Sequence, residues 1–274
     1  MALILLVVHP ERPAAWELAK NAKKWWEAQG REVIDVRHAE PAVPFPGGDE
    51  LEFAVSLGGD GTMLRTVELV LDSGVPVLGV NLGRMGYLTA VEPSGIESAF
   101  ERMLRGDYEV EERMALSVEL TGSAPGHFTA LNDAIVERTG PGHTIRVAVE
   151  IAGRPFLTYT ADGILVSTPT GSTAQNLSAR GPVVSPRLEA MVLTPVSAHM
   201  LFDRSLVLEP TEEVRLTVAD DRPAVAVIDG ARVIELAPGD SVRCRPADKA
   251  ARLISFGARD FHLALRHRFG LDDR

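Results

Sequence analysis

The hydrophobic pattern of the chain changes near residue 110, and this change constrains the fold more than any other feature. Up to that point, short apolar runs such as ALILLVV (2–8), FAVSLG (53–58) and PVLGVN (76–81) alternate with helix-like stretches. Strands that alternate with helices are typical of βαβ units and a mainly parallel sheet. We therefore predict an N-terminal α/β domain with a Rossmann-like parallel sheet over residues 1–110.

After Tyr108 the chain carries about eight short strand-like segments separated by Gly, Pro and Asp. Runs such as TIRVAVEIA (144–152) and EVRLTVA (213–219) alternate apolar and polar residues, as half-buried antiparallel strands do. We predict an all-β sandwich domain over residues 111–257. The segment 258–274 returns to helical spacing, and we expect this C-terminal helix to join the first domain.

The composition excludes several classes of partner. With a formal net charge of -10, the surface is poorly suited to nucleic acid or to an anionic membrane. The single cysteine, Cys244, cannot form an internal disulfide, which favours a reducing compartment. No apolar run approaches the roughly 20 residues of a membrane helix. We expect a cytoplasmic protein with neither a nucleic-acid nor a membrane partner.

The segment SLGGDGTMLR (56–65) places three glycines around Asp60, where an apolar run gives way to a helical pattern. Glycines permit close approach to backbone N–H groups at a helix N-terminus, an arrangement that binds phosphate. An acid there can hold a bridging metal ion or accept a proton from an attacking hydroxyl, and both are kinase roles. The alternative is a tight turn in which Asp60 caps the helix, although Thr62 could cap it equally well.

Two further segments of the second domain carry polar residues in unusual density. LVSTPTGSTAQNLSARGP (165–182) follows a strand with many hydroxyl groups, which suit a sugar-bearing ligand or form a capped loop. LNDAIVER (131–138) places Asn132 and Asp133 in an apolar strand, where each needs a ligand or a backbone partner. Asp229 and Gly230 are typical of a hairpin turn.

Six blocks together resemble, in order and spacing, the NAD kinase family: LGGDGTMLR, GVNLGRMGYLT, LNDAIVER, TADGILVSTPTGSTAQNLSARGP, LTPVSAH and VIDG. The GGDGT turn alone also resembles diacylglycerol kinases, sphingosine kinases and phosphofructokinases, whereas the TPTGSTA loop is typical of NAD kinases. The resemblance implies transfer of the γ-phosphoryl of ATP, or of polyphosphate, to the 2′-hydroxyl of the adenosine ribose of NAD. It also implies a divalent metal, most often Mg²⁺, and a homodimer or homotetramer.

The resemblance also implies roles for individual residues. Asp60 is expected to be the catalytic residue that accepts the proton of the ribose hydroxyl. The residues implied to bind NAD are Asp60, Gly61, Arg65, Asn132, Asp133, His143, Asp162, Thr173, Ala174, Gln175, Asn176, Leu177 and Ser178. Two positions depart from the family: Gln175 stands where a tyrosine is usual, and Arg180 where a glycine is common.

Two other functions remain open on the sequence. A lipid kinase of the diacylglycerol type shares the GGDGT turn but does not need the TPTGSTA loop. A nucleotide-binding regulator that has lost catalysis is compatible with Gln175, although Asp60 is intact.

Overall fold

The computed structural model describes residues 2–37, 50–83, 86–257 and 260–270. The chain forms two compact units. The α/β unit contains Met1–Glu112 and Ala250–Arg274, and the sandwich unit contains Arg113–Lys249. The second unit is therefore inserted within the first.

The α/β unit is built on a six-stranded sheet with the order β2-β1-β3-β4-β18-β5, numbered along the chain. Its strands are β1 (Leu3–Val8), β2 (Glu32–Arg37), β3 (Leu51–Gly58), β4 (Val77–Asn81), β5 (Glu109–Arg113) and β18 (Ala251–Ser255). Its helices are α1 (Pro13–Ala28), α2 (Asp60–Val70), α3 (Ile96–Leu104) and α5 (Phe261–Phe269), with 3₁₀ turns at Leu71–Ser73 and Pro93–Gly95. β1 pairs in parallel with β2 and β3, β3 with β4, and β4 with β18.

The first strand shows why this sheet is central to the unit. All six residues of β1 are buried, as expected for a parallel strand covered on both faces. Helix α1 begins with Pro13, which is preorganised for a first helical turn, and Gly30 follows its end with φ 75°. This helix buries Trp26 against Phe53 and Phe100 in the core of the unit.

The sandwich unit consists of two six-stranded sheets in which every pairing is antiparallel. The first, in the order β10-β9-β14-β17-β6-β7, contains β10 (Arg154–Ala161), β9 (Ile145–Ile151), β14 (Val214–Val218), β17 (Ser241–Pro246), β6 (Leu116–Thr121) and β7 (Gly126–Ala130). The second, in the order β13-β12-β11-β8-β15-β16, contains β13 (Leu206–Leu208), β12 (Met191–Val196), β11 (Gly163–Ser167), β8 (Asp133–Arg138), β15 (Ala224–Ile228) and β16 (Arg232–Leu236). A 3₁₀ turn (Thr170–Thr173) and the short helix α4 (Gln175–Ser178) follow β11. One hydrophobic core joins the two sheets.

The predicted fold class, an α/β domain followed by an all-β sandwich, is confirmed. One segment lies in a different sheet from the one predicted. Residues 251–257 were assigned to the sandwich, but β18 pairs with β4 and lies between β4 and β5 in the sheet of the α/β unit. The hydrophobic pattern of a single strand reports its burial and not the strand it pairs with, so the sequence could not distinguish the two sheets.

The C-terminal segment forms α5 within the predicted range 258–274, of which residues 258–259 and 271–274 lie outside the described part. Most of the described side chains of α5 are exposed, including Leu263 and Phe269. No described helix combines the length and the hydropathy needed to cross a membrane.

Candidate active site

Asp60 lies in the first turn of α2, directly after the carboxyl end of β3. The N-cap of this helix is Gly59, and no side chain makes a capping hydrogen bond. Thr62, which the sequence offered as a cap, lies inside the helix and is buried. Neither Asp60 nor Thr62 acts as a helix cap.

The carboxylate of Asp60 is held by the loop that follows β4. Its Oδ2 accepts the backbone N–H of Tyr87 at 3.0 Å, and its Oδ1 accepts that of Leu88 at 3.2 Å. Gly86 packs so closely against this carboxylate that a Cβ at residue 86 would overlap it. The GGDG turn and residues 86–88 of the second family block are therefore one structure.

The three glycines around Asp60 have different roles. Gly58 is buried, and a Cβ there would overlap the side chain of Thr62. Gly59 has no atom near the position of a Cβ, and Gly61 is exposed. The first glycine therefore allows β3 to pack against α2, and the other two leave backbone N–H groups open to a ligand.

Arg65 is more constrained than the sequence indicated. Its side chain is only 8% exposed, and its guanidinium makes an ion pair of 2.6 Å with Glu68, one turn further along α2. A ligand that reaches Arg65 must therefore compete with, or share, this carboxylate.

The remaining predicted residues lie in the sandwich unit, and many of them meet where β8 begins and β11 ends. Asp133 and Ser167 are paired directly across these two strands. Beyond the pair, Thr168 donates its hydroxyl to the Leu131 carbonyl at 2.6 Å and its N–H to the Asn132 carbonyl at 2.8 Å. The hydroxyl-rich loop (residues 168–178) is thus attached to the backbone of residues 131–132.

Gly171 allows the hydroxyl-rich loop to lie against residues 131–132, because a Cβ at residue 171 would overlap the backbone of Asn132. The loop is fixed at its other end by Ser172, whose hydroxyl bonds both the carbonyl and the N–H of Val184 at 3.1 and 3.0 Å. The loop is therefore rigidly held on both sides.

The predicted NAD-binding residues of this loop differ in accessibility. Asn176 is fully buried: its amide donates to the Pro182 carbonyl at 2.9 Å and accepts from the Thr194 hydroxyl at 2.7 Å. Its side chain supports the loop from inside. Partly or fully exposed members are Thr173, Ala174, Gln175, Leu177 and Ser178.

Asp133 has unusual electrostatics. It is only 3% exposed, and burial raises its pKa to about 7, with a further contribution from the negative charge of Asp229. The backbone N–H of Gln175 bonds the Asp133 carboxyl and opposes this shift. Near neutral pH, Asp133 can therefore either donate or accept a hydrogen bond.

His143 and Asp162 lie at a different end of the sandwich. Asp162 precedes β11, whereas Ser167 ends it, a separation of roughly 17 Å along an extended strand. Asp162 accepts a hydrogen bond of 2.8 Å from Arg138, and His143 lies two residues before Ile145, which pairs with Ala161. Within the sandwich unit, the predicted residues therefore form two separate groups.

The comparison with protein families decides the relationship. The chain matches the ATP-NAD kinase N-terminal domain over residues 42–108 and the ATP-NAD kinase C-terminal domain over residues 131–256. The chain belongs to the NAD kinase family.

Individual relatives in this family resemble almost the whole chain. It is 42% identical to the NAD kinase of Heliobacterium modesticaldum, with 98% of each chain covered. It is 38% identical to NAD kinase 2 of Streptomyces coelicolor and 35% identical to the NAD kinase of Wolinella succinogenes, covering 98% of this chain and 94% and 95% of those.

Solved structures agree with this assignment. An NAD kinase from Archaeoglobus fulgidus in complex with ATP matches with a TM-score of 0.75 and 26% identity, covering 98% of both chains. Yeast NADH kinase complexed with NADH matches with a TM-score of 0.83 over 100% of this chain and 89% of that one. At 21% identity, the yeast structure supports the fold alone.

At one of the two positions that depart from the NAD kinase family pattern, the structure explains why a glycine is common. Arg180, where a glycine is common, has φ 63°, in the left-handed region that glycine occupies without steric cost. At the other departure, Gln175, the backbone N–H bonds Asp133 and the side chain is partly exposed. A substitution of Gln175 therefore leaves this backbone bond in place and changes what the side chain offers to a ligand.

Sequence reasoning missed two contributors. The backbone N–H groups of Tyr87 and Leu88 hold Asp60, and the only signal for them was the glycine-containing block GVNLGRMGYLT. Asp229, predicted only as a turn residue, accepts hydrogen bonds from the backbone of residues 131–133. Its signal in the sequence was the VIDG block, in which an Asp-Gly pair is already explained by a turn.

Proposed function

We propose that this chain transfers the γ-phosphoryl group of ATP to the 2′-hydroxyl of the adenosine ribose of NAD, forming NADP and ADP. The observation that carries this proposal is the Asp60 carboxylate, fixed by two backbone N–H groups beside two open glycines. The ATP complex of the Archaeoglobus relative favours ATP over polyphosphate as the donor.

In this proposal, Asp60 acts as the proton acceptor. A lone pair of the ribose oxygen forms a bond to the γ-phosphorus, the bond from that phosphorus to the bridging oxygen breaks, and ADP leaves with the electron pair. The hydroxyl proton passes to Asp60. An ionised carboxylate has about four lone-pair sites, and the Tyr87 and Leu88 N–H groups use two of them. Asp60 is thus held in place and retains capacity for the proton.

The residues proposed to bind NAD are those that the family blocks imply. In the sandwich unit these are His143, Asp162, Asn132, Asp133 and residues 173–178, the last of which are assigned to the adenosine half; in the α/β unit they are Asp60, Gly61 and Arg65. We also propose a homodimer or homotetramer. In such an assembly, His143 and Asp162, at the other end of the sandwich, reach a dinucleotide held by a neighbouring copy.

A divalent cation, Mg²⁺ by preference, is part of the proposal. Mg²⁺ is commonly held by one or two carboxylates together with substrate phosphates and water. Because Asp60 is assigned to the proton, the substrate phosphates and water are expected to hold the ion, and the described residues contain no cluster of three or more acidic, histidine or cysteine ligands. The residues fit an ion that arrives with the triphosphate, where it supplies charge neutralisation. A cytoplasmic location, favoured by the single cysteine, completes the proposal.

The experiment compares Asp60→Asn with the parent protein in a coupled assay of NADP formation, with ATP, Mg²⁺ and NAD. We expect turnover to fall by about 100-fold or more while NAD affinity, measured by calorimetry, is nearly unchanged. Glu97→Gln is the matched control, because Glu97 is an exposed acid in the first turn of α3.

Full turnover in Asp60→Asn would remove this residue from the mechanism. A parent protein that binds NAD tightly but forms no NADP is the outcome expected of a regulator. Transfer to diacylglycerol in place of NAD is the outcome expected of a lipid kinase. Either result refutes the proposed function.

A further inference from the structure

Asp229 occupies a hairpin turn between β15 and β16. Asp229 has φ 48° and Gly230 has φ 67°, and the Ala231 N–H donates to the Ile228 carbonyl at 3.1 Å. Two successive left-handed residues define the type I′ turn, which favours both Asn-Gly and Asp-Gly. The turn therefore accounts for the backbone conformation, but it does not require a carboxylate at residue 229.

The carboxylate of Asp229 binds three successive backbone N–H groups of another segment. Its Oδ2 accepts the N–H of Leu131 at 2.8 Å, and its Oδ1 accepts those of Asn132 and Asp133 at 2.8 and 3.1 Å. The Asp229 N–H donates in turn to the Asp133 carbonyl at 2.9 Å. Hydrogen bonds to an ionised acceptor are stronger than those between neutral groups, so this contact fixes the segment firmly.

The same segment is held from its carbonyl side by the hydroxyl-rich loop. Thr168 binds the carbonyls of Leu131 and Asn132, and the Ser167 hydroxyl also donates to Asn132 at 3.3 Å. Asp229 thus takes the N–H groups of residues 131–133, while the loop takes the first two carbonyls. The position of the loop relative to Asp133 depends on this shared backbone.

Asp229 also acts on Asp133 through its charge. The groups that face the Asp133 carboxyl are the negative Asp229 from the β15–β16 turn and the neutral Gln175 N–H from the hydroxyl-rich loop. Across the strand pair, β11 presents Ser167, which carries no charge. The charge of Asp229 raises the pKa of Asp133, in the same direction as burial.

We propose that Asp229 is a positioning residue for NAD: it sets the placement of Asn132, Asp133 and the hydroxyl-rich loop, and its charge sets the pH range of NAD binding. This inference rests on the proposed function only in taking NAD as the ligand of that loop. Asp229 itself touches neither substrate nor reacting atoms.

The experiment measures kcat and the KM for NAD of Asp229→Asn between pH 5.5 and 8.5. Asparagine keeps the turn, because Asn-Gly is also favoured in type I′ turns, but it removes the charge and replaces one acceptor oxygen with an NH₂ group. We expect the KM for NAD to rise about tenfold, with kcat changed less than about threefold. The midpoint of the pH dependence of KM moves to lower pH, because the charge that raises the Asp133 pKa is lost.

Asp240→Asn is the matched control. The Asp240 carboxylate also fixes a loop, by accepting the N–H groups of Ser123 and Ala237 at 2.9 Å each. Asp240 contacts the turn between β6 and β7, whereas Leu131 follows the other end of β7, so the two loops are separated by the length of this strand. We expect Asp240→Asn to lose stability on thermal denaturation and to keep the parental KM and pH midpoint.

An unchanged KM and midpoint in a folded Asp229→Asn variant overturn the inference. If that variant does not fold, Asp133→Asn is the second test. Its KM for NAD is expected to lose the pH dependence near neutrality. If that pH dependence persists, the proposed effect of the Asp229 charge on NAD binding is overturned. NAD affinity is also measured directly by calorimetry. A parent that binds NAD but forms no NADP refutes the proposed function, while the affinity of Asp229→Asn still tests the positioning role.

Discussion

Replacing Gly86 with alanine is expected to disable catalysis although no catalytic residue is substituted. An ideal Cβ at residue 86 would overlap Asp60 Oδ1 and lie only 2.5 Å from Oδ2, whereas real Cβ contacts are not shorter than 3.0 Å. The Asp60 carboxylate and the loop must therefore separate by roughly 1 Å. The bonds from the Tyr87 and Leu88 N–H groups, now 3.0 and 3.2 Å, would lengthen beyond hydrogen-bonding distance.

A displacement of about 1 Å in a catalytic group costs on the order of 100-fold in rate. We therefore expect kcat for NADP formation by Gly86→Ala to fall by about that factor. The assay uses saturating NAD and ATP, with thermal denaturation to establish that the variant is folded. Gly95→Ala is the control, because a Cβ there meets only Val91, at an ordinary 3.4 Å. Parental kcat in Gly86→Ala would refute the argument that this glycine exists to position Asp60.

Three further substitutions test other parts of the structure. Gln175→Tyr is expected to tighten NAD binding by about 1–3 kcal/mol through stacking on a base, and unchanged or weaker binding in calorimetry would show that the family pose does not apply here. In urea unfolding between pH 5 and 7, the stability of Asp133→Asn relative to the parent is expected to grow with pH, by at most about 1.4 kcal/mol per unit. The reason is that the folded parent retains the Asp133 proton up to about pH 7, against an ordinary pKa of 3.8, and so loses stability as pH rises; a constant difference would contradict the raised pKa. Arg180→Gly is expected to raise the free energy of unfolding by about 1 kcal/mol, because glycine relieves the left-handed backbone strain, and a lower value in urea unfolding would contradict this.

The fold was largely predictable because the period of apolar residues differs between its two parts. The buried run of β1 and the alternating strands of the sandwich carry that information locally. The sequence places β18 in the wrong sheet because its apolar run indicates only that the strand is buried, and strands of either sheet can be buried. The partner of a strand is a long-range property that no window of sequence contains.

The site was predictable to the extent that its residues carry their own chemistry. Asp60 between glycines and the hydroxyl groups of residues 168–178 indicated a nucleotide site, and the family blocks supplied the substrate. The ion pair of Arg65 with Glu68 could not be predicted, because it depends on how α2 packs. Asp229 escaped notice because its turn explained the Asp-Gly pair locally, while its three acceptor contacts reach a segment almost 100 residues earlier.

The position of β18 has a consequence for synthesis. A ribosome makes β1 to β5 and then the whole sandwich before it reaches the strand that lies between β4 and β5. The nascent chain therefore holds an incomplete sheet with an open edge at β4 while all strands of the sandwich are already available. Co-translational folding is thus expected to complete the sandwich before the sheet of the α/β unit, which is complete only when β18 has been made.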